Sequence, residues 1–158
     1  MTELPLVSIA LTTFNGEKYL EPQLKSLLGQ DYPNFEIVVS DDVSTDTTWQ
    51  ILEQYASRDM RIRLLPRHDN LGVIRNFARC FAACRGDFIS PCDQDDIWRY
   101  NKTRRLVEAM GDALLVYCNS RLIDGEGHPI GETLADKLSM MRGDHPRPFM
   151  FSNSVLGH

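Results

Sequence analysis

Two groups of carboxylates stand out for their position and spacing. Asp41-Asp42 closes one apolar run, and Asp93, Asp95 and Asp96, with Gln94 among them, close another. Oxygen-rich acidic clusters suit hard cations such as Mg²⁺, Mn²⁺ or Ca²⁺, and Mg²⁺ uses one or two carboxylates and completes its shell with water and substrate phosphate. Two further polar groups follow apolar runs: Thr12, Thr13, Phe14 and Asn15, and Asp69, Asn70 and Gly72. The plainer reading of Asp41, Asp42 and Asp96 is helix capping, because Asp is common at N-caps. Capping explains the 93–96 run less well, since a bare acid run at a strand end matches a motif with a mechanism.

The elements that must position these groups follow from periodicity. Short β-branched runs predict buried strands at 7–12, 35–39, 62–65, 87–90 and 113–119. Between them the spacing predicts helices. The first, 17–28, carries Tyr19, Leu20, Leu24, Leu27 and Leu28 on its apolar face, with Pro22 either in the first turns or bending it. The second, 46–58, follows a Ser44-Thr45-Asp46 cap and buries Trp49, Leu52, Tyr55 and Ala56. The third, 73–84, presents Ile74, Phe77, Ala78 and Phe81 on one face, and the fourth spans 101–110. After Asn119 the rhythm changes to a turn at 124–131 joining two short strands, a helix over 132–141, and no clear period from 142 to 158.

Strand–helix alternation predicts an α/β fold with a mostly parallel central sheet. In such sheets ligands bind beyond the carboxyl ends of the strands, where the strand order reverses. The polar groups above all follow strands, so the fold collects them along one edge. Other acidic α/β proteins fail on position. A response-regulator receiver and a haloacid-dehalogenase-like phosphatase need acids after the first strand, where this chain has Thr-Thr-Phe-Asn, and a dinucleotide-binding fold needs GxGxxG there.

Composition sets outer bounds. The chain has 158 residues, 42% hydrophobic and 25% charged, which fits one soluble domain. Lys+Arg is 17 and Asp+Glu is 22, a net charge of −5, which argues against general nucleic-acid binding. Arg99, Lys102, Arg104 and Arg105 form a local basic patch, read as a solvated helix face or as a peripheral contact with phosphate or the anionic inner membrane surface. The cysteines, Cys80, Cys84, Cys92 and Cys118, have no zinc-ligand spacing and read as reduced thiols of a cytoplasmic protein. No run reaches membrane-spanning length, and residues 1–6 do not read as a secretory signal.

VSIALTTFNG, FEIVVSDDVSTDTT, NLGVIRNF and GDFISPCDQDDIW occur in the order and spacing of the inverting family-two glycosyltransferases, which the chain resembles over residues 6–124. DQDDIW further resembles the bacterial rhamnosyltransferase-like branch that builds cell-surface polysaccharides. The resemblance implies the GT-A fold, a Rossmann-like sandwich, with a nucleotide-sugar-binding core at 1–124 and the start of an acceptor-side segment at 125–158. It implies a UDP- or dTDP-sugar donor, a glycan or lipid-linked acceptor, and Mg²⁺ or Mn²⁺ as cofactor. Carried over by position, Thr12, Phe14 and Asn15 line the nucleobase pocket, with the Phe14 ring open to stacking. Asp41 and Asp42 belong to the nucleotide site, Asp42 accepting from the pyrimidine imide. Asn70, Gly72 and Arg75 close the nucleotide site. Asp93 holds the ribose side and shares the metal with Asp95. The metal stabilises the leaving nucleoside diphosphate as a Lewis acid.

Two departures carry expectations. Val43 stands where the family has Gly, and a β-branched residue disfavours positive φ, so the turn there is expected to be less tight. Family members are about twice this length, with the catalytic base in the second half. The chain is therefore expected to hold the donor half, and no residue is named as base. The rival readings are a nucleotide-sugar-binding module without transfer activity and a plain α/β interaction domain. Metal-dependent binding of a pyrimidine nucleoside diphosphate separates both sugar-nucleotide readings from the last, and turnover with acceptor separates enzyme from module.

Overall fold

The structure is a computed structural model and describes residues 3–137. The chain divides into two compact units after Thr103.

The first unit is a four-stranded parallel sheet with its helices. The elements run β1 (Val7–Thr13), α1 (Glu17–Leu28), β2 (Phe35–Asp41), α2 (Thr48–Ala56), β3 (Ile62–Leu64), α3 (Val73–Ala83) and β4 (Phe88–Cys92). Strand order is β3-β2-β1-β4. Every residue of β1 is buried, as expected for the centre of a parallel sheet. Ala10 and Val38 lie in register and pack with Leu65 and Cys80 under α3. By strand alternation Leu11 faces the opposite side, where its register partner Cys92 accepts a bond from Gln23 of α1. Leu20, Leu24 and Leu27 of α1 are fully buried, and Pro22 is accommodated inside the helix.

The second unit holds a hairpin, β5 (Arg121–Ile123) with β6 (Pro129–Thr133), and α5 (Leu134–Lys137). Helix α4 (Lys102–Met110) begins at the division. The rest of the helix expected over 132–141, and all of 142–158, lie outside the described residues.

Three expectations about elements need correction. Residues 113–119 form no strand, and Leu114 is 91% exposed. An apolar run becomes a strand only when a neighbour offers a hydrogen-bonding ladder, which composition does not report. Helix α3 does not bury Ile74, which is 86% exposed; its wholly buried residues are Asn76 and Cys80. Asn76 donates to the Ser40 carbonyl and accepts the Ser40 hydroxyl at 2.8 and 2.6 Å, so a polar pair docks the helix beside Cys80 and the half-buried Phe81. On α2, Leu52 is buried while Trp49, Tyr55 and Ala56 are half-buried.

Candidate functional site at the carboxyl edge of the sheet

β1 and β2 stay in register to Thr13 and Asp41, and the Asp42 amide donates to the Thr13 carbonyl at 2.8 Å. β1 and β4 pair only as far as Leu11 and Cys92. Strand order reverses between β1 and β4, so the crevice beyond them is the switch point at which such sheets bind ligands. Phe14, Asp42 and Asp93 are the residues that leave these three strand ends.

Asp41 turns inward. Its side chain has no exposed surface and accepts bonds from Thr13 Oγ1, the Ser44 amide and the Ser44 hydroxyl. These bonds hold the turn after β2. That turn is tight: Val43 takes φ +67°, contrary to the looser turn expected of a β-branched residue. Asp41 fixes Ser44 on the far side of Val43, and these bonds outweigh the steric cost of roughly 1–3 kcal/mol for a non-glycine residue in this region.

Asp42 faces the loop before α3. Its two oxygens accept the Leu71 and Gly72 amides at 2.7 and 2.9 Å, and Asn70 donates to its carbonyl at 2.9 Å. Gly72 needs to be glycine here, with φ +74° at the start of α3. Asp42, Asn70 and Gly72 are thus brought together, and each Asp42 oxygen keeps a second lone pair. Arg75 stands exposed in the first turn of α3.

Asn15 has φ +49°, a conformation Asn tolerates. Its side-chain oxygen accepts the Thr45 amide at 2.8 Å, and its own amide donates to Ser44 Oγ at 2.9 Å. The zipper continues: the Gly16 amide donates to Thr48 Oγ1, the Glu17 amide to Asp46, and the Thr47 amide back to Glu17. Burial pushes the Asp46 carboxyl up, but the bonds from Thr48 and Glu17 outweigh it and hold it below the ordinary range. Asn15 is therefore a brace between the loops after β1 and β2. The zipper also uses the amides of residues 15–17 at the start of α1, which a dinucleotide-binding fold would aim at phosphate.

Phe14 opens this loop and is half exposed, at 49%. Its backbone is held from the β4 side. Gln94 accepts the Phe14 amide at 2.8 Å and donates to the Phe14 carbonyl at 3.0 Å. Gln94 carried no assigned role in the sequence; its signal was a neutral amide inside an acidic run. Thr12 is buried and pairs with Ser40 in the ladder.

Asp93 is half-buried and Asp95 exposed. Two carboxylates directly after a strand fit a hard divalent ion that takes the rest of its shell from water and phosphate. Among the described residues no group of three or more His, Cys, Asp or Glu side chains forms a protein-only metal cage. Asp96 does not cap a helix, because α4 begins only at Lys102. Behind the site, the wholly buried Cys92 thiol is pushed well up by desolvation, and Cys80 up to about 12. All four cysteines are free.

A parallel sheet that reverses between β1 and β4, with carboxylates and a half-exposed ring at the reversal, defines an α/β protein whose polar groups collect where such sheets bind ligands. The comparisons with known proteins narrow this. The Glycosyl transferase family 2 profile matches residues 8–153, and the chain belongs to that family. It is 33% identical over 106 residues to TuaG of Bacillus subtilis, named as a teichuronic acid biosynthesis glycosyltransferase, covering 67% of this chain and 42% of that protein. It is 31% identical to EpsH of the same organism, named as a glycosyltransferase, covering 92% of this chain and 41% of that one. The chain thus spans about two fifths of the length of these curated relatives. Among solved structures it resembles S. aureus TarS in complex with UDP, at 30% identity and TM-score 0.61, covering 67% of this chain and 32% of that one. It also resembles the mannosyltransferase PcManGT of Pyrobaculum calidifontis, solved with GDP-Man and Mn²⁺, at 22% identity and TM-score 0.65, covering 77% and 36%. The fold is GT-A.

Proposed function

We propose that this chain is the donor-binding part of an inverting glycosyltransferase. The whole enzyme moves a sugar from a pyrimidine nucleotide-diphospho-sugar to a glycan or lipid-linked acceptor in cell-surface polysaccharide synthesis, in the cytoplasm or at the cytoplasmic face of the inner membrane. The observation that carries this reading is the arrangement after β1, β2 and β4: a half-exposed Phe14 ring, the Asp42 carboxylate one register step away, and Asp93 and Asp95 across the switch point. The 30% identity to a protein solved with UDP supports a uridine-type donor, and DQDDIW, which resembles the rhamnosyltransferase-like branch, keeps a dTDP-sugar as the second candidate.

In this reading the base stacks on Phe14. Asp42 accepts its imide N–H through a lone pair left by Leu71 and Gly72, and Asn70, Gly72 and Arg75 close that side. Asp93 meets the ribose and shares with Asp95 a Mg²⁺ or Mn²⁺ ion. When bound, that ion neutralises the diphosphate and stabilises it as a leaving group. The amides of residues 15–17 are already used by side chains, which leaves the diphosphate dependent on a cation and on Arg75. The base that activates the acceptor is not assigned to any residue of this chain.

The test is incubation with UDP- and dTDP-sugars, Mn²⁺ and an acceptor mixture, following nucleotide release and glycoside formed. Binding of UDP or dTDP without glycoside formation supports a donor-binding portion. Failure to bind either nucleotide rejects the reading.

A further inference from the structure

We infer that Gln94 is a positioning residue that fixes the distance between the base-stacking ring of Phe14 and the carboxylates of Asp93 and Asp95; this rests on the donor-site reading above. Two observations carry it. The β1–β4 ladder stops at Leu11 and Cys92, and beyond it Gln94 replaces backbone pairing with its side chain, meeting both the amide and the carbonyl of Phe14. Independently, a notch receives the carboxamide: a Cβ on the buried Gly16 would overlap the Gln94 carboxamide. Gly16 is itself pinned by Thr48 at 2.8 Å, so the notch cannot drift.

Only an amide of this length meets both demands. Glutamate offers no donor when ionised and would set a carboxylate oxygen against the Phe14 carbonyl. Asparagine is one methylene short. Gln94 lies between Asp93 and Asp95 in the chain, so the turn cannot move relative to Phe14 while both bonds hold. A ligand that must reach the ring and the carboxylates at once benefits from that fixed distance, because its second contact becomes intramolecular. A ligand that reaches only one end does not.

The experiment uses the whole chain and calorimetry with UDP and with inorganic pyrophosphate, each with Mn²⁺. Gln94→Ala and Gln94→Glu are expected to weaken UDP about tenfold, as a fall of the competent spacing to about a tenth of the population does, and to leave pyrophosphate unchanged. Phe14→Ala also weakens UDP, and adding Gln94→Ala to it costs nothing more, since the clamp acts through that ring. Hydrogen exchange at the Phe14 amide of the ligand-free protein accelerates in Gln94→Ala. Equal losses for UDP and pyrophosphate, or additive losses in the double variant, overturn the positioning role. Unchanged exchange at Phe14 overturns the clamp itself even where UDP binds. Wild-type protein that binds pyrophosphate with Mn²⁺ but not UDP rejects the donor-site reading, and the positioning role with it.

Discussion

Asp42 and Gly72 are joined by a 2.9 Å hydrogen bond from the Gly72 amide to the Asp42 carboxylate, which ties the end of β2 to the start of α3. The second Asp42 oxygen takes the Leu71 amide at 2.7 Å. The carboxylate therefore both shapes the loop and, in the proposed site, reads the base.

Asp42→Asn tests that double role. The amide nitrogen of Asn cannot accept, so it faces either a loop amide or the base imide as donor against donor. Loss of one charge-assisted bond costs roughly 1.5–3 kcal/mol, or about ten- to a hundredfold in affinity. UDP is expected to weaken by this factor, with Mn²⁺–pyrophosphate affinity little changed. Equal losses for both would assign Asp42 to the fold or the phosphates alone.

Val43→Gly should stabilise the protein. Relief of a strained φ of +67°, roughly 1–3 kcal/mol, exceeds the extra chain entropy of glycine, about 0.5–1 kcal/mol. The expected net gain is about 1 kcal/mol, seen as a higher denaturant midpoint at constant slope. A lower midpoint would mean that the Val43 side chain contributes more by packing than its backbone costs.

Acid should weaken the fold through Glu36 and Asp59. Burial pushes the Glu36 carboxyl up, but bonds from Ser8 and the Arg85 amide, with the Arg63 guanidinium nearby, leave it below its usual value. The Arg61 side chain holds Asp59 low, against the opposing effect of burial. A depressed folded pKa gives stability that is present above the unfolded carboxylate value, about 4, and is lost as pH falls through the folded one. Urea midpoints from pH 7 to pH 2 should fall on the acid side of about 4, and Glu36→Gln should shallow that fall. An unchanged acid limb in Glu36→Gln would remove Glu36 from the account.

The acids after β2 and β4 were legible because ligands bind at strand ends whatever the side chains beneath them. Their division of labour was not. Asp41 and Asp42 are adjacent and identical in type, yet one is sealed by Thr13 and Ser44 while the other faces a loop 30 residues away at Gly72. Only three-dimensional partners distinguish them. Gln94 escaped notice because its work is a pair of bonds to a distant backbone, which leaves no pattern in a single sequence. Helix α3 was legible at Phe81, which packs on the core beside Cys80, but not at Asn76, whose satisfied pair with Ser40 leaves no mark in apolar periodicity. The run 113–119 has the composition of a strand without a ladder to join.

Asp95→Ala and Asp96→Ala should differ. Asp95 is exposed after β4, so its loss should abolish the Mn²⁺ dependence of UDP binding and change stability little, within about 0.5 kcal/mol. Asp96→Ala should retain Mn²⁺-dependent binding. Titrations of both variants with and without Mn²⁺ read this directly, and identical behaviour would mean that the roles within 93–96 are misassigned.

The central claim is that the carboxyl edge of this sheet binds a pyrimidine nucleoside diphosphate through a divalent cation. Its most direct test is calorimetric titration of the wild-type chain with UDP, once with Mn²⁺ and once with EDTA. The account predicts binding with Mn²⁺ that becomes far weaker with EDTA, because carboxylates cannot hold a diphosphate without a cation between them. Equal affinity under both conditions, or no binding under either, would contradict it.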